Sequence, residues 1–224
     1  SDGKNYQKFG TAQDHKRVLE GDKGKNTGGM GAYSPSRLEN KILDNKIINR
    51  IIKPTIKALD ELNTNFKGFL YAGLMIVNNE PYLIEYNVRM GDPECQTILP
   101  RLKTDFAEVI FACINQNLGS LFLNWYEEKS LCIVLTSKGY PDEYKNNVEI
   151  SNLETIKLEE NDFIFHAGTR MINSKIYSNG GRVLNFVTRS KDLKDSRKHI
   201  LDLINKIDWH NGYFRKDIGF RVID

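Results

Sequence analysis

Glu85-Tyr86-Asn87 followed by Arg89-Met90-Gly91-Asp92-Pro93-Glu94 is the stretch on which the reading of this chain turns. It closes an apolar strand-like run at residues 68–77, a turn at Asn78-Asn79 and a return at residues 81–87, the pattern of a β-hairpin with a type I′ turn. In the return, Tyr82, Ile84 and Tyr86 alternate with Leu83, Glu85 and Asn87, so Glu85 and Asn87 project from one face. A carboxylate and an amide oxygen sharing a side are hard donors suited to Mg²⁺, which keeps waters while bridging phosphates. Taken alone, the pair also reads as a polar strand end facing solvent. A guanidinium and two carboxylates within the next seven residues favour a site over a rim. Such a grouping is expected where a metal-bound triphosphate meets an anionic intermediate.

Composition narrows the class around this stretch. The 224 residues are 40% hydrophobic with only six prolines, enough for one large or two modest compact domains. Lys plus Arg exceeds Asp plus Glu by 32 to 29, a small surplus spread along the chain that gives little reason to expect a nucleic-acid partner. Cys95, Cys113 and Cys132 lack CxxC spacing and suit a reducing compartment better than a disulfide framework. No run of eighteen apolar residues and no signal-peptide core occur, so the expectation is a cytoplasmic protein away from membranes.

Working toward the amino terminus, helical spacing of Ile47, Ile48, Ile51, Ile52, Ile56, Leu59 and Leu62 predicts a helix, kinked or restarted at Pro54. Residues 11–37, rich in Gly, Asp, Lys and Ser/Thr, read as a long functional loop. Asp2-Gly3 is a hairpin-turn signal, and residues 5–9 alternate like a strand with no earlier run to pair with. The chain is therefore expected to be a fragment whose missing amino-terminal part supplies the partner strand. Toward the carboxy terminus, residues 93–102 read as a turn and residues 105–118 as an apolar-faced helix. A boundary is drawn between 1–122 and 123–224. Beyond it, strands are expected at 130–136, 155–158, 162–168, 171–177 and 182–188, a helix at 193–207, and short strand-like pieces near Tyr213 and Phe220, giving a small α+β domain with mostly antiparallel connections.

Two further clusters carry polar chemistry. Gln13-Asp14-His15-Lys16-Arg17 groups an acid, an imidazole and two cations, which reads equally as a charged surface turn. In Asn26-Thr27-Gly28-Gly29-Met30-Gly31-Ala32 the glycines permit close backbone approach and would offer amide donors to an anion, although the spacing is not that of a P-loop and a packing-driven turn fits as well. His166 reads as a hydrogen-bonded structural histidine and Arg182 as the partner of a nearby carboxylate. Zinc-ligand spacing, a serine elbow and a basic aromatic stripe are all lacking.

These segments, with Gly68-Phe69-Leu70-Tyr71-Ala72-Gly73-Leu74, Phe165-His166-Ala167-Gly168-Thr169, Asn179-Gly180-Gly181-Arg182-Val183-Leu184 and Arg215-Lys216-Asp217-Ile218-Gly219, resemble the phosphoribosylamine–glycine ligases, also called glycinamide ribonucleotide synthetases. The resemblance runs in order along essentially the whole chain. It implies the carboxy-terminal half of an ATP-grasp domain, an antiparallel sheet with helices, followed by a small α+β domain. It also implies a purine-biosynthetic ligase that uses ATP and Mg²⁺ or Mn²⁺ to join glycine to 5-phosphoribosylamine through a glycyl phosphate. By resemblance Glu85 and Asn87 are the metal ligands, Arg89, Asp92 and Lys16 are catalytic, and Asp14, His15, Glu94, Gly28 and Gly29 bind substrate. Tyr86 and Met90 stand where many members carry Phe, which preserves bulk. The absent portion would be the amino-terminal nucleotide-fold domain and the first half of the ATP-grasp, and the fragment alone is expected to be inactive. A sister carboxylate–amine ligase and a non-catalytic metal- and nucleotide-binding module are the alternative readings.

Overall fold

The structure is a computed structural model and describes residues 1–223. In chain order its strands begin with β1 (Gln13–Asp14), β2 (Arg17–Leu19), β3 (Lys23–Asn26), β4 (Gly31–Ser34), β5 (Tyr71–Val77), β6 (Glu80–Asn87) and β7 (Lys129–Ser137). They continue with β8 (Glu149–Ile150), β9 (Asp162–His166), β10 (Thr169–Ile172), β11 (Lys175–Ser178), β12 (Arg182–Ser190) and β13 (Gly212–Tyr213). The α-helices are α1 (Lys41–Ile47), α2 (Lys53–Glu61), α3 (Glu94–Ile98), α4 (Phe106–Ile114), α5 (Leu193–Ile204) and α6 (Phe220–Ile223). The chain forms two compact units, one of residues 1–11, 36–91 and 102–126, the other of residues 12–35, 92–101 and 127 onward. Residues 12–35 and 92–101 thus fold with the later unit although they precede residue 122.

In the first unit the β5–β6 hairpin turns through Asn78 and Asn79, both left-handed (φ 51° and 59°), as an Asn-Asn type I′ turn requires. β5, whose apolar run reads as a buried strand, is only half-buried, and the middle of β6 is exposed. Asn40 caps α1, accepting from the Leu43 amide at 2.9 Å. A π turn at Ile48–Ile52 joins α1 to α2, and Pro54 stands in the first turn of that second helix, the restart its position predicts, where its missing N–H costs no intrahelical bond. The Ile51 carbonyl there is taken by the Thr55 hydroxyl (2.8 Å) and the Tyr86 hydroxyl (3.3 Å), which gives the extra oxygen of Tyr86 a partner. Phe9 packs against Phe69 and Trp125 (ring centroids 5.1 and 5.3 Å apart). No strand forms at residues 5–9. Instead Asp2 folds the start into a turn, accepting from the amides of Lys4 (2.8 Å), Asn5 (2.6 Å) and Leu118 (3.1 Å), while Ser1 and Gly68 exchange backbone hydrogen bonds.

The second unit is built on a six-stranded antiparallel sheet in the order β1-β4-β7-β12-β9, with β13 also pairing β7. β7 and β12 are buried along nearly their whole length. Leu131, Ile133 and Leu135 share a core with Leu193, Ile200, Leu203 and Ile204 of α5, whereas Cys132, Val134 and Val187 pack with Phe163 and Phe165. That alternation is the period of a two-faced central strand. Asp192 caps α5 through the Lys194 amide (2.6 Å).

Several local expectations change here. Residues 11–37 are not a loop but hold β1 to β4; their polar composition hid strands whose pairing is long-range. Residues 94–101 are helical, α3 and a 3₁₀ turn, because Glu94, Thr97, Ile98 and Pro100 turn inward. Residues 155–158 do not form a strand and follow a 3₁₀ turn at Leu153–Thr155. The single strand expected at 171–177 is a hairpin, β10–β11, reversed at Asn173 and Ser174 (φ 48° and 61°). Phe220 begins a helix instead of a strand.

Candidate functional site

The end of β6 carries the first group. Glu85 lies opposite Gly73 and Asn87 opposite Tyr71, beyond a bulge that re-registers the hairpin between Gly73 and Leu74. A side chain on Gly73 would crowd Glu85 (3.1 Å from a Cβ to its Cγ), so the glycine leaves the carboxylate room. Asn87 Nδ2 donates to Glu85 Oε1 at 3.3 Å, which puts the two polar ends side by side on one face, as the alternation predicts. Adjacent, solvent-accessible hard oxygens fit a divalent cation completed by water and phosphate. Arg89 is exposed in the following loop, where its Nη1 donates to the Met90 carbonyl at 2.9 Å.

A second group lies within the other unit. β1 continues as a ladder past Asp14, with His15 N donating to Gly31 O and Met30 N to His15 O (both 2.9 Å), and Thr27 N to Lys16 O (2.8 Å). Gly28 and Gly29 are the excursion between Thr27 and Met30. Their amides are used internally: Gly28 N–H donates to the Tyr140 hydroxyl (2.9 Å) and Gly29 N–H to Thr27 Oγ1 (3.0 Å). The expectation that these amides face an anion is therefore corrected; what glycine provides here is closeness. A Cβ on Gly29, whose φ is +124°, would stand 2.4 Å from Pro93 Cδ and 2.9 Å from Asp14 Oδ1.

Asp14 is nearly buried, and Lys16 Nζ lies 2.6 Å from its Oδ2. Burial, with the negative charge of Glu94, pushes the Asp14 carboxyl up to about 7 against the pull of Lys16. Glu94 itself is buried at the start of α3. His15 points inward: it is 3% exposed, its Nε2 accepts from the Gly219 amide at 3.1 Å, and its ring meets Tyr33 and Phe220. Burial and the Arg215 charge pull its imidazole down to about 4, so it is neutral at pH 7. Asp92 is held at both oxygens, by Gln96 Nε2 (2.9 Å) and by Arg182 Nη2 (2.9 Å).

Two family models match the chain: phosphoribosylglycinamide synthetase, ATP-grasp (A) domain, over residues 1–95, and phosphoribosylglycinamide synthetase, C domain, over residues 130–221. The chain belongs to the phosphoribosylglycinamide synthetase family. It is 41% identical to the phosphoribosylamine–glycine ligase of Agrobacterium fabrum over 223 residues, all of this chain and 52% of that relative. The corresponding ligase of Caldanaerobacter subterraneus is 44% identical over 97% of this chain and 52% of its own length. The crystal structure of the Thermotoga maritima phosphoribosylamine–glycine ligase superposes with a TM-score of 0.75 at 31% identity, over 92% of this chain and 50% of that one. The chain thus spans about half the length of the curated relatives it matches.

Within this synthetase-family chain, Arg182 and Tyr140 are the site neighbours that sequence reasoning undervalued. Arg182 Nη1 donates to Gly28 O (3.0 Å) and Asp92 O (2.8 Å) while Nη2 pairs with the Asp92 carboxylate. The reading of Arg182 as a carboxylate partner anticipated the last bond alone. Nothing in the spacing of residues 28, 92, 140 and 182 announces that one sheet gathers them. Cys132, fully buried beneath Asp92 and Asp14, has its thiol pushed well up by burial and by those negative charges. It is packing, not a nucleophile.

Proposed function

We propose that this chain is the carboxy-terminal part of an ATP-dependent ligase joining glycine to 5-phosphoribosylamine to give glycinamide ribonucleotide, ADP and phosphate. In this reading residues 1–122 complete an ATP-grasp domain and residues 123–224 form the small carboxy-terminal domain. The observation that carries it is the Glu85–Asn87 pair at the end of β6, a carboxylate and a side-chain amide brought together on one face, with Asn87 Nδ2 3.3 Å from Glu85 Oε1, in a synthetase-family chain. Those two residues would hold Mg²⁺ or Mn²⁺, which when bound screens the nucleotide phosphates.

The chain's own residues supply the rest. The glycine carboxylate, already ionised, attacks the γ-phosphoryl group without a general base, and Arg89, exposed to solvent, holds the developing charge. Lys16, whose ammonium is kept charged by Asp14 despite partial burial, offers a second cation to the glycyl phosphate. Asp14 and Glu94 lie in the segments we assign to glycine, and Asp92 is held by Arg182 in the turn that leads to Glu94. The ribosylamine nitrogen then attacks the activated carbonyl, forming the C–N bond and releasing phosphate. Cys95, Cys113 and Cys132 form no disulfide, which suits a cytosolic setting. No helix among the described residues is long and apolar enough to cross a membrane.

The test is metal-dependent nucleotide binding by the complete polypeptide. Glu85→Gln with Asn87→Leu is expected to weaken Mg²⁺-ATP binding at least about tenfold, the loss of one or two ligand bonds. Unchanged binding would instead favour a site elsewhere and refute the assignment.

A further inference from the structure

The Gly28 peptide is gripped from both ends by the carboxy-terminal segment. Its N–H donates to the hydroxyl of Tyr140, and its C=O accepts from Arg182 at 3.0 Å. Neither grip is incidental to packing. A Cβ on Gly28 would fall 2.9 Å from the Arg182 guanidinium carbon, and a Cβ on Gly181, the residue before Arg182, would fall 2.3 Å from the Tyr140 ring. The two gripping residues are therefore themselves packed into fixed relation, the ring of one against the backbone of the other. The same guanidinium reaches the backbone and side chain of Asp92, with its own side chain only 22% exposed. Arg182 thus sets the distance between the glycine excursion and the turn leading to Glu94. Both glycine amides being engaged internally, the excursion has no donor to offer through them, and its shape is what remains to be used.

We infer that Arg182 and Tyr140 are positioning residues for the ligase reaction, holding the Gly28-Gly29 excursion and the Asp92-Pro93-Glu94 turn at a fixed separation so that the glycine-binding groups stay in register. This rests on the ligase reading above. Lysine cannot replace Arg182, because one ammonium cannot span the Gly28 carbonyl, the Asp92 carbonyl and the Asp92 carboxylate in one plane.

The experiment is steady-state kinetics of the complete polypeptide for wild type, Arg182→Lys, Arg182→Ala and Tyr140→Phe, with KM measured separately for ATP and glycine, alongside hydrogen exchange of the peptide covering residues 26–31. Arg182→Lys is expected to raise the glycine KM about tenfold or more while the ATP KM stays within about twofold, the signature of lost positioning at one substrate. Free guanidinium should restore part of the rate of Arg182→Ala, and Tyr140→Phe should speed exchange at residues 26–31 and raise the glycine KM about threefold. Unchanged glycine KM in all three variants, or a fall in kcat alone with no guanidinium rescue, would overturn the positioning role. Wild type lacking any glycine-dependent turnover would overturn the ligase reading and this inference with it, so the two failures are told apart by the wild-type arm.

Discussion

Asp14 and His15 are neighbours whose titrations pull stability in opposite directions. Asp14 is raised to about 7, so the folded chain holds its proton while an unfolded carboxyl, near 3.8, has lost it. Its contribution is full below pH 3.8 and is lost as pH rises toward 7. His15 is lowered to about 4 from 6.5; its contribution is full above 6.5 and is lost as pH falls toward 4. Denaturant unfolding of Asp14→Asn should therefore show a stability gain over wild type that grows from pH 4 to pH 7 and then levels. His15→Gln should compare best with wild type near pH 4 and lose ground as pH rises. Equal pH slopes in all three proteins would contradict both burials. Gly29→Ala is expected to cost about 2 kcal/mol or more, since the left-handed φ and the contact with Pro93 act together, and thermal unfolding would show it. At this scale the shared face of Glu85 and Asn87 was legible in the sequence, because side chains two apart on a strand project from the same side. The interior position of His15 was not, because only the Gly219 amide, two hundred residues later in the chain, explains it.

Elements were legible where the signal is local. The Asn78-Asn79 hairpin, the α4 helix capped by Asp105 and the central strands β7 and β12 follow directly from turn residues and apolar runs. Short strands were illegible where pairing with distant segments decides the structure, as in β1 to β4. The β2–β3 hairpin has only Val18 and Leu19 as apolar residues and is held by Arg215, wholly buried, which donates to Asp22 (2.9 Å), to the Arg17 carbonyl (3.0 Å) and to both oxygens of Asp217 (2.8 Å each). Arg215→Met leaves Asp217 with only the Gly21 amide and Asp22 with only Arg221, and is expected to cost about 3 kcal/mol. Hydrogen exchange should report it first at residues 17–26; protection there equal to wild type would show that the hairpin stands without Arg215.

At the scale of the whole molecule, the chain spans about half the length of its relatives, and the strand end carrying Glu85 and Asn87 is the metal site proposed for it. The family was legible because its segments recur in order, whereas the interleaving of residues 12–35 and 92–101 with the later unit was not, since no local composition records which sheet a strand joins. The most direct measurement is ADP formation by the complete polypeptide with Mg²⁺-ATP, omitting glycine and phosphoribosylamine in turn. Sustained turnover is expected only with both substrates present, and its loss in Glu85→Gln. Turnover indifferent to glycine, or full glycine-dependent activity in Glu85→Gln with Asn87→Leu, would contradict this expectation.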